Sequence, residues 1–298
     1  MRTERRAERV RSLLRLAPPG GSPRLTLAAL AALALLVGVG TAQPVFEEWD
    51  ERPERVDAQV FFAFDTSRSM MASRGAGEPT RFDRATAAAR QMRGALGEVP
   101  VGIASMTDRV LPHLFPSSNP RSFDSVLSHA IGVDYPPSDA AGDAQTTDLG
   151  TTRFLAEGNY FRGAQRRVLV LFTDAETKRI DLDQVTGAFV DSGIKTILVR
   201  FWATGERVYG PDGVEEAYVP DPGSASMAER YAQAVDGEAF DEGELPAAIE
   251  AARSNLGSGS EVTLVKTADI HPLGPYVFLA ALLPLGFLLW RRNLAWSS

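Results

Sequence analysis

The chain has 298 residues, 44% hydrophobic and 23% charged, with 31 Lys+Arg against 38 Asp+Glu and a formal net charge of -7. That length holds one sizeable globular domain or two small ones, and the apolar content excludes a chain disordered throughout. The absence of cysteine excludes disulfide scaffolds, thiolate metal sites and cysteine nucleophiles, and three scattered histidines (His113, His129, His271) argue against an all-histidine metal site or a histidine-based triad.

The first segment, residues 1–24, is a basic tail with seven Arg against two Glu. It precedes an uncharged run at 25–46 (LTLAALAALALLVGVGTAQPVF), which has a counterpart at 272–290 (PLGPYVFLAALLPLGFLLW) before Arg291 and Arg292 of the closing tail, 291–298. At about 1.5 Å per residue the runs reach roughly 33 and 29 Å, enough to cross a hydrocarbon core of about 30 Å. Both are predicted to be transmembrane helices. Pro275 and Pro284 would break a soluble core helix, which is the competing reading of the second run. For the first run the competing reading is a cleaved signal peptide, since Gly40-Thr41-Ala42 supplies the small residues that signal peptidase accepts. Basic residues stay inside, so both tails are expected in the cytoplasm and the intervening segment outside it. That segment holds 22 basic and 36 acidic residues, a net of -14. Such a surface argues against nucleic acid as a partner and favours cations or basic proteins.

Between the runs, apolar strands alternate with amphipathic helices, the pattern of an α/β fold with a mostly parallel sheet covered on both faces. Strands are predicted at 58–64 (AQVFFAF), 101–106, 110–115, 168–172 (VLVLF) and 196–201. Helices are predicted at 82–96, where Phe82, Ala85, Ala89, Met92 and Leu96 fall at helical spacing, and from a Ser122 cap to 130. Further helices are expected at 151–157, 182–190, 226–235 and 244–255. Residues 207–220, with Pro211-Asp212-Gly213 at the turn, are expected to form a hairpin insertion. Residues 257–260 (GSGS) form a flexible joint and 261–271 a tether to the second span.

In open α/β sheets chemistry gathers at the carboxyl ends of the strands, and three loops there carry the same kind of residue. Asp65-Thr66-Ser67-Arg68-Ser69 follows the first strand, Thr146-Thr147-Asp148-Leu149-Gly150 precedes a helix, and Thr173-Asp174-Ala175-Glu176 ends the central strand. Asp65, Ser67, Ser69, Thr147 and Asp174 all offer hard oxygen ligands, the chemistry that selects Mg²⁺ or Mn²⁺. Taken singly, each is equally well a helix cap or a turn residue. Asp148 and Glu176 are read as solvated loop residues, His113 as structural, and Arg68 either as a partner for an incoming carboxylate or as a surface residue.

This constellation resembles the metal-ion-dependent adhesion site of von Willebrand factor A (VWA) domains. The resemblance covers roughly residues 56–256, with D-x-S-x-S intact as DTSRS and T-D-G represented by Thr173-Asp174-Ala175. It implies a Rossmann-like doubly wound fold, here flanked by two transmembrane helices, and a divalent ion, Mg²⁺ or Mn²⁺. Ser67 and Ser69 would be direct ligands, Thr147 a state-dependent one, and Asp65 and Asp174 orienting groups. A protein partner would complete the shell with an Asp or Glu carboxylate, and the last helix of the domain would shift on binding. The span–domain–span order also resembles membrane-anchored bacterial proteins of the Bat aerotolerance type, which often show two leading spans where this chain has one. That resemblance implies a non-enzymatic binding module on the outer face of a bacterial plasma membrane, assisting an envelope complex and linked to a MoxR-type AAA ATPase. Two other functions are open at this point. One is a Mg²⁺-dependent phosphohydrolase or phosphotransferase with Asp65 as nucleophile, which would want a carboxylate where Ser67 stands. The other is a structural envelope protein with a vacant metal site.

Overall fold

The computed structural model describes residues 23–135, 146–158, 160–161, 163–259 and 262–293. Of the basic tails expected at 1–24 and 291–298, residues 1–22 and 294–298 lie outside the described residues, while 291–293 continue the second long helix. The chain divides into two compact units, one of residues 1–50 with 267–298 and one of residues 51–266. In chain order the strands are β1 (Val45–Arg55), β2 (Ala58–Asp65), β3 (Val101–Met106), β4 (Val110–Ser117), β5 (Arg166–Thr173), β6 (Ile194–Arg200), β7 (Glu238–Asp241) and β8 (Val262–Pro272).

Strands β2 to β7 form one sheet in the order β4-β3-β2-β5-β6-β7, parallel except for the β3–β4 pair. β2 is buried along its whole length, as its unbroken apolar sequence requires of a central strand covered on both faces. Its side chains alternate. Val60, Phe62 and Phe64 enter one core, with Val170, Phe172 and Ile103, while Phe61 and Ala63 enter the other, with Leu169, Leu171 and Leu198.

The first core is roofed by the helices at Arg81–Leu96, Pro120–His129 and Leu245–Leu256, which present Ala85, Met92, Phe123, Leu127, Ala248 and Ile249. The second lies under the helices at Leu182–Val190 and Ser224–Ala234, through Val185, Phe189, Ala228 and Tyr231. This is the doubly wound architecture expected from the alternation of strands and helices. The strand order reverses between β2 and β5, which makes the crevice beyond their carboxyl ends the topological switch point.

The element ends depart from the sequence reading in places with identifiable causes. The short helix at Pro120–His129 is capped by Asn119, whose side chain accepts from the Arg121 and Ser122 amides; Ser122 lies inside the helix, and Pro120 sits at its start, where a missing N–H costs nothing. The insertion makes a tight turn rather than a ladder, with Gly210 N donating to Val214 O at 2.8 Å and a single antiparallel bridge between Tyr209 and Glu215. The stretch expected to be a tether is strand β8, which pairs with β1 in a separate two-stranded sheet.

In the smaller unit two helices, Pro23–Thr41 and Gly274–Asn293, pack side by side. The first ends at Thr41, short of the expected Phe46, because Val45 and Phe46 belong to β1. A Cβ built on Gly40 would come within 2.9 Å of the Phe278 ring, so the absence of a side chain there lets the helices approach. Both helices are long and apolar enough to cross a membrane, and their leucines face outward, Leu35 being 67% and Leu283 77% exposed. A core helix of a soluble domain would bury those side chains.

Candidate cation site at the strand ends

The three loops meet at Asp65, the last residue of β2. Its carboxylate accepts from the backbone N–H of Ser67 at 2.9 Å, from the Thr147 hydroxyl at 2.7 Å to either oxygen, and from the Thr173 hydroxyl at 2.6 Å. All three donors are neutral, and Asp65, Ser67, Thr147 and Thr173 are buried. Burial, reinforced by the neighbouring charge of Asp174, pushes the Asp65 carboxyl up to about 7. The Ser67 and Ser69 hydroxyls lie 3.0 Å apart at the start of the turn that follows. The middle loop is held in place by its own backbone. Thr147 bridges to Thr177, the Lys178 amide donates to Thr147 O at 2.9 Å, and the Asp148 amide donates to Thr107 O at 2.9 Å.

Asp174, also fully buried, anchors the third loop. One carboxylate oxygen accepts from the Glu176 amide at 2.9 Å and the other from Arg81 Nη1 at 2.8 Å. Burial raises its pKa, while Arg81 and the Ser69 hydroxyl pull the other way. Between Asp174 and Glu176 the chain must turn sharply, and Ala175 adopts a φ of 60° to do so. That left-handed conformation accounts for the glycine usual in the T-D-G motif.

The sequence reading thus finds its five residues at one place: Asp65, Ser67 and Thr147 in direct contact, Ser69 against Ser67, and Asp174 beside them through Ser69 and Arg81. Thr146, the residue before Thr147 in the same loop, is exposed.

Three expectations for flanking residues change. Glu176 is not a solvated loop residue. It accepts from Arg81, from the Tyr218 hydroxyl at 2.8 Å, from Trp202 Nε1 at 2.9 Å and from the Asp221 amide at 3.1 Å, so it organises the wall behind the site. Burial and the nearby Asp174 charge raise its pKa. Asp148 is half-buried and caps the short turn at Leu149–Thr152 by accepting from the Gly150 amide at 2.8 Å. Arg68 pairs within the molecule, with Glu216 of the insertion and with Asp134 at 3.4 Å. His113 remains structural, sharing a 2.8 Å hydrogen bond with the Ser105 hydroxyl.

The sequence reading missed Arg81 altogether. Its side chain is completely buried and also reaches Glu206 at 2.7 Å and the Tyr218 hydroxyl at 2.8 Å. Burial works against its charge, yet Asp174 and the other acids around it hold its pKa above the ordinary arginine value. A signal was present in the sequence. Arg81 and Arg84 fall in the first turn of a helix, where the dipole mildly disfavours cations, and both are paired with carboxylates.

The donor set fits a hard divalent cation. Two hydroxyls stand side by side, a third, that of Thr147, is held on Asp65, and Asp65 is a fully buried carboxylate whose hydrogen bonds come only from neutral groups. No cluster of three or more His, Cys, Asp or Glu able to hold a metal occurs among the described residues. A cation here would therefore rest on hydroxyls more than on carboxylates.

Residues 60–176 match the von Willebrand factor type A domain. No curated protein matches the chain. Among solved structures, the conserved hypothetical protein BatB from Bacteroides thetaiotaomicron is similar at 18% identity and a TM-score of 0.52, covering 67% of this chain and 100% of that one. An aerotolerance-related membrane protein from Bacteroides fragilis NCTC 9343, with multiple mutations to serines, matches at 17% identity and a TM-score of 0.50, covering 65% and 98%. Proximal thread matrix protein 1 from the mussel byssus, with a zinc-occupied MIDAS motif, matches at 13% identity and a TM-score of 0.42, covering 67% and 48%.

Proposed function

We propose, from the premise that this chain carries a von Willebrand factor type A domain, that it is a membrane-anchored module which binds a protein partner through a divalent cation, Mg²⁺ or Mn²⁺, held at the strand ends. The observation that carries the reading is the convergence of three separate loops on Asp65, with the Ser67–Ser69 hydroxyl pair alongside. When bound, the cation would supply a Lewis-acidic position for an Asp or Glu carboxylate of the partner.

The chain's own residues do the rest. Asp65 orients the Thr147 hydroxyl and the Ser67 amide, and Thr173 fixes Asp65 from below. Asp174 contributes charge from outside the hydroxyl set. The same hydrogen bonds weigh against a phosphotransfer enzyme, because both oxygens of Asp65 are already engaged, whereas a nucleophile needs a free oxygen for its substrate.

The outward-facing leucines of the two long helices support anchoring in a bilayer. The charge asymmetry, basic at the tails and acidic between, supports an orientation with both termini in the cytoplasm and the VWA domain outside a bacterial plasma membrane. The fold shared with BatB and the aerotolerance-related protein fits a role in assembling or stabilising an envelope complex alongside a MoxR-type ATPase.

The test is capture of envelope proteins by the full chain in detergent. Proteins retained in Mg²⁺ should be released by chelator and should not be retained by Asp65→Ala. Identical retention in chelator, or by Asp65→Ala, contradicts the reading.

A further inference from the structure

We propose that Arg81 is a positioning residue that keeps Asp174 off the cation, and so sets how strongly that cation draws an outside carboxylate; the proposal rests on the cation reading above. Both oxygens of Asp174 are committed, one to the Glu176 amide at 2.9 Å and one to Arg81 Nη1 at 2.8 Å. Neither Asp174 nor Arg81 is exposed, so the pair is shielded from bulk solvent. The guanidinium is anchored at Nε by Glu206 at 2.7 Å, and the Nη1 that meets Asp174 is shared with Tyr218 at 2.8 Å and Glu176 at 3.1 Å. It cannot follow the carboxylate if Asp174 swings toward the hydroxyls. Asp65 differs, because only neutral donors hold it.

The consequence is electrostatic. A carboxylate bound directly to a dication cancels half its charge, whereas hydroxyl ligands cancel none. With Asp174 tied to Arg81, Ser67, Ser69 and Thr147 offer neutral oxygens only. A cation there is held less tightly by the chain but keeps more charge for an incoming anion. Arg81 therefore trades affinity for the ion against affinity for the partner. Glu206, which shares its carboxylate between Arg81 and Arg84 (2.6 Å), damps the effect by neutralising Arg81 from behind.

Two variants of the full chain in detergent test this, with Mn²⁺ alone as the first probe and acetate as the second. Mn²⁺ affinity is read from the electron paramagnetic resonance of the free ion, and acetate binding from the loss of water-proton relaxation at bound Mn²⁺. Arg81→Gln should bind Mn²⁺ at least about tenfold more tightly and acetate correspondingly more weakly. Glu206→Gln keeps Arg81 but removes its counter-charge, and should shift both in the opposite sense by about threefold. A purely structural role would not move the two affinities in opposite directions. Should Arg81→Gln fail to fold by circular dichroism, Glu206→Gln decides alone. Variants that match the wild type, or that lose both affinities together, overturn the proposal while leaving the cation reading intact. A wild-type chain that binds no Mn²⁺ overturns both.

Discussion

Ala175 shows how the site's geometry acts on a single residue. It holds a left-handed φ of 60° in the turn that aims Asp174, and its methyl group is buried in the second core. An alanine in that conformation costs about 1–2 kcal/mol, whereas burying its methyl returns about 0.8 kcal/mol. Ala175→Gly should therefore change stability by less than about 1 kcal/mol, because relief of strain, loss of the methyl and greater chain freedom offset one another. Ala175→Val puts a β-branched side chain in the same conformation and should cost about 2 kcal/mol or more. Thermal melting of both variants checks the pair, and an Ala175→Val protein as stable as the parent would show that the turn relaxes. At this scale the site was legible where its residues stand in fixed spacing, as in Asp65, Ser67 and Ser69. It was illegible where a distant residue completes it. Arg81 reaches Asp174 across 93 positions, and only its awkward place in a first helical turn marks it in the sequence.

The elements were readable in proportion to their burial. β2 and β5 are continuous apolar runs because helices cover both faces, and the strands read from those runs differ from the observed ones by a few terminal residues. β7 went unseen because it is a four-residue edge strand, exposed or half-buried throughout. β1 escaped for another reason: its sequence, VFEEWDERPER, is mostly charged and carries no apolar alternation. β8 does contain β-formers in VTLVKTADI, but its partner lies some 200 residues earlier, and pairing over that range is not written into either segment alone. The last helix of the larger unit is tied at its end by side chains that local pattern could not reveal. Leu256 O accepts from Arg55 at 2.9 Å and from Arg166 at 2.8 Å, and Gly257 O accepts from Arg55 at 2.9 Å. Those bonds satisfy carbonyls that a helix leaves open.

For the whole molecule, the two apolar helices and the segregation of charge were plain from composition, and the outward-facing leucines give them a physical reason. The absence of cysteine makes the orientation directly measurable. Val214→Cys in the exposed turn of the insertion should react with a membrane-impermeant maleimide on intact spheroplasts, and Ser298→Cys should react only after the membrane is opened. The reverse pattern would place the domain in the cytoplasm and remove an envelope partner from the account.

The convergence of three loops on a hard cation bears most of the functional reading, and Mn²⁺ stoichiometry tests it most directly. Equilibrium titration of the full chain should find one Mn²⁺ per molecule, displaced by excess Mg²⁺, and the double variant Ser67→Ala with Ser69→Ala should lose that ion while retaining its circular dichroism. No bound Mn²⁺ in the wild type, or an ion held equally well without the two hydroxyls, would contradict the account.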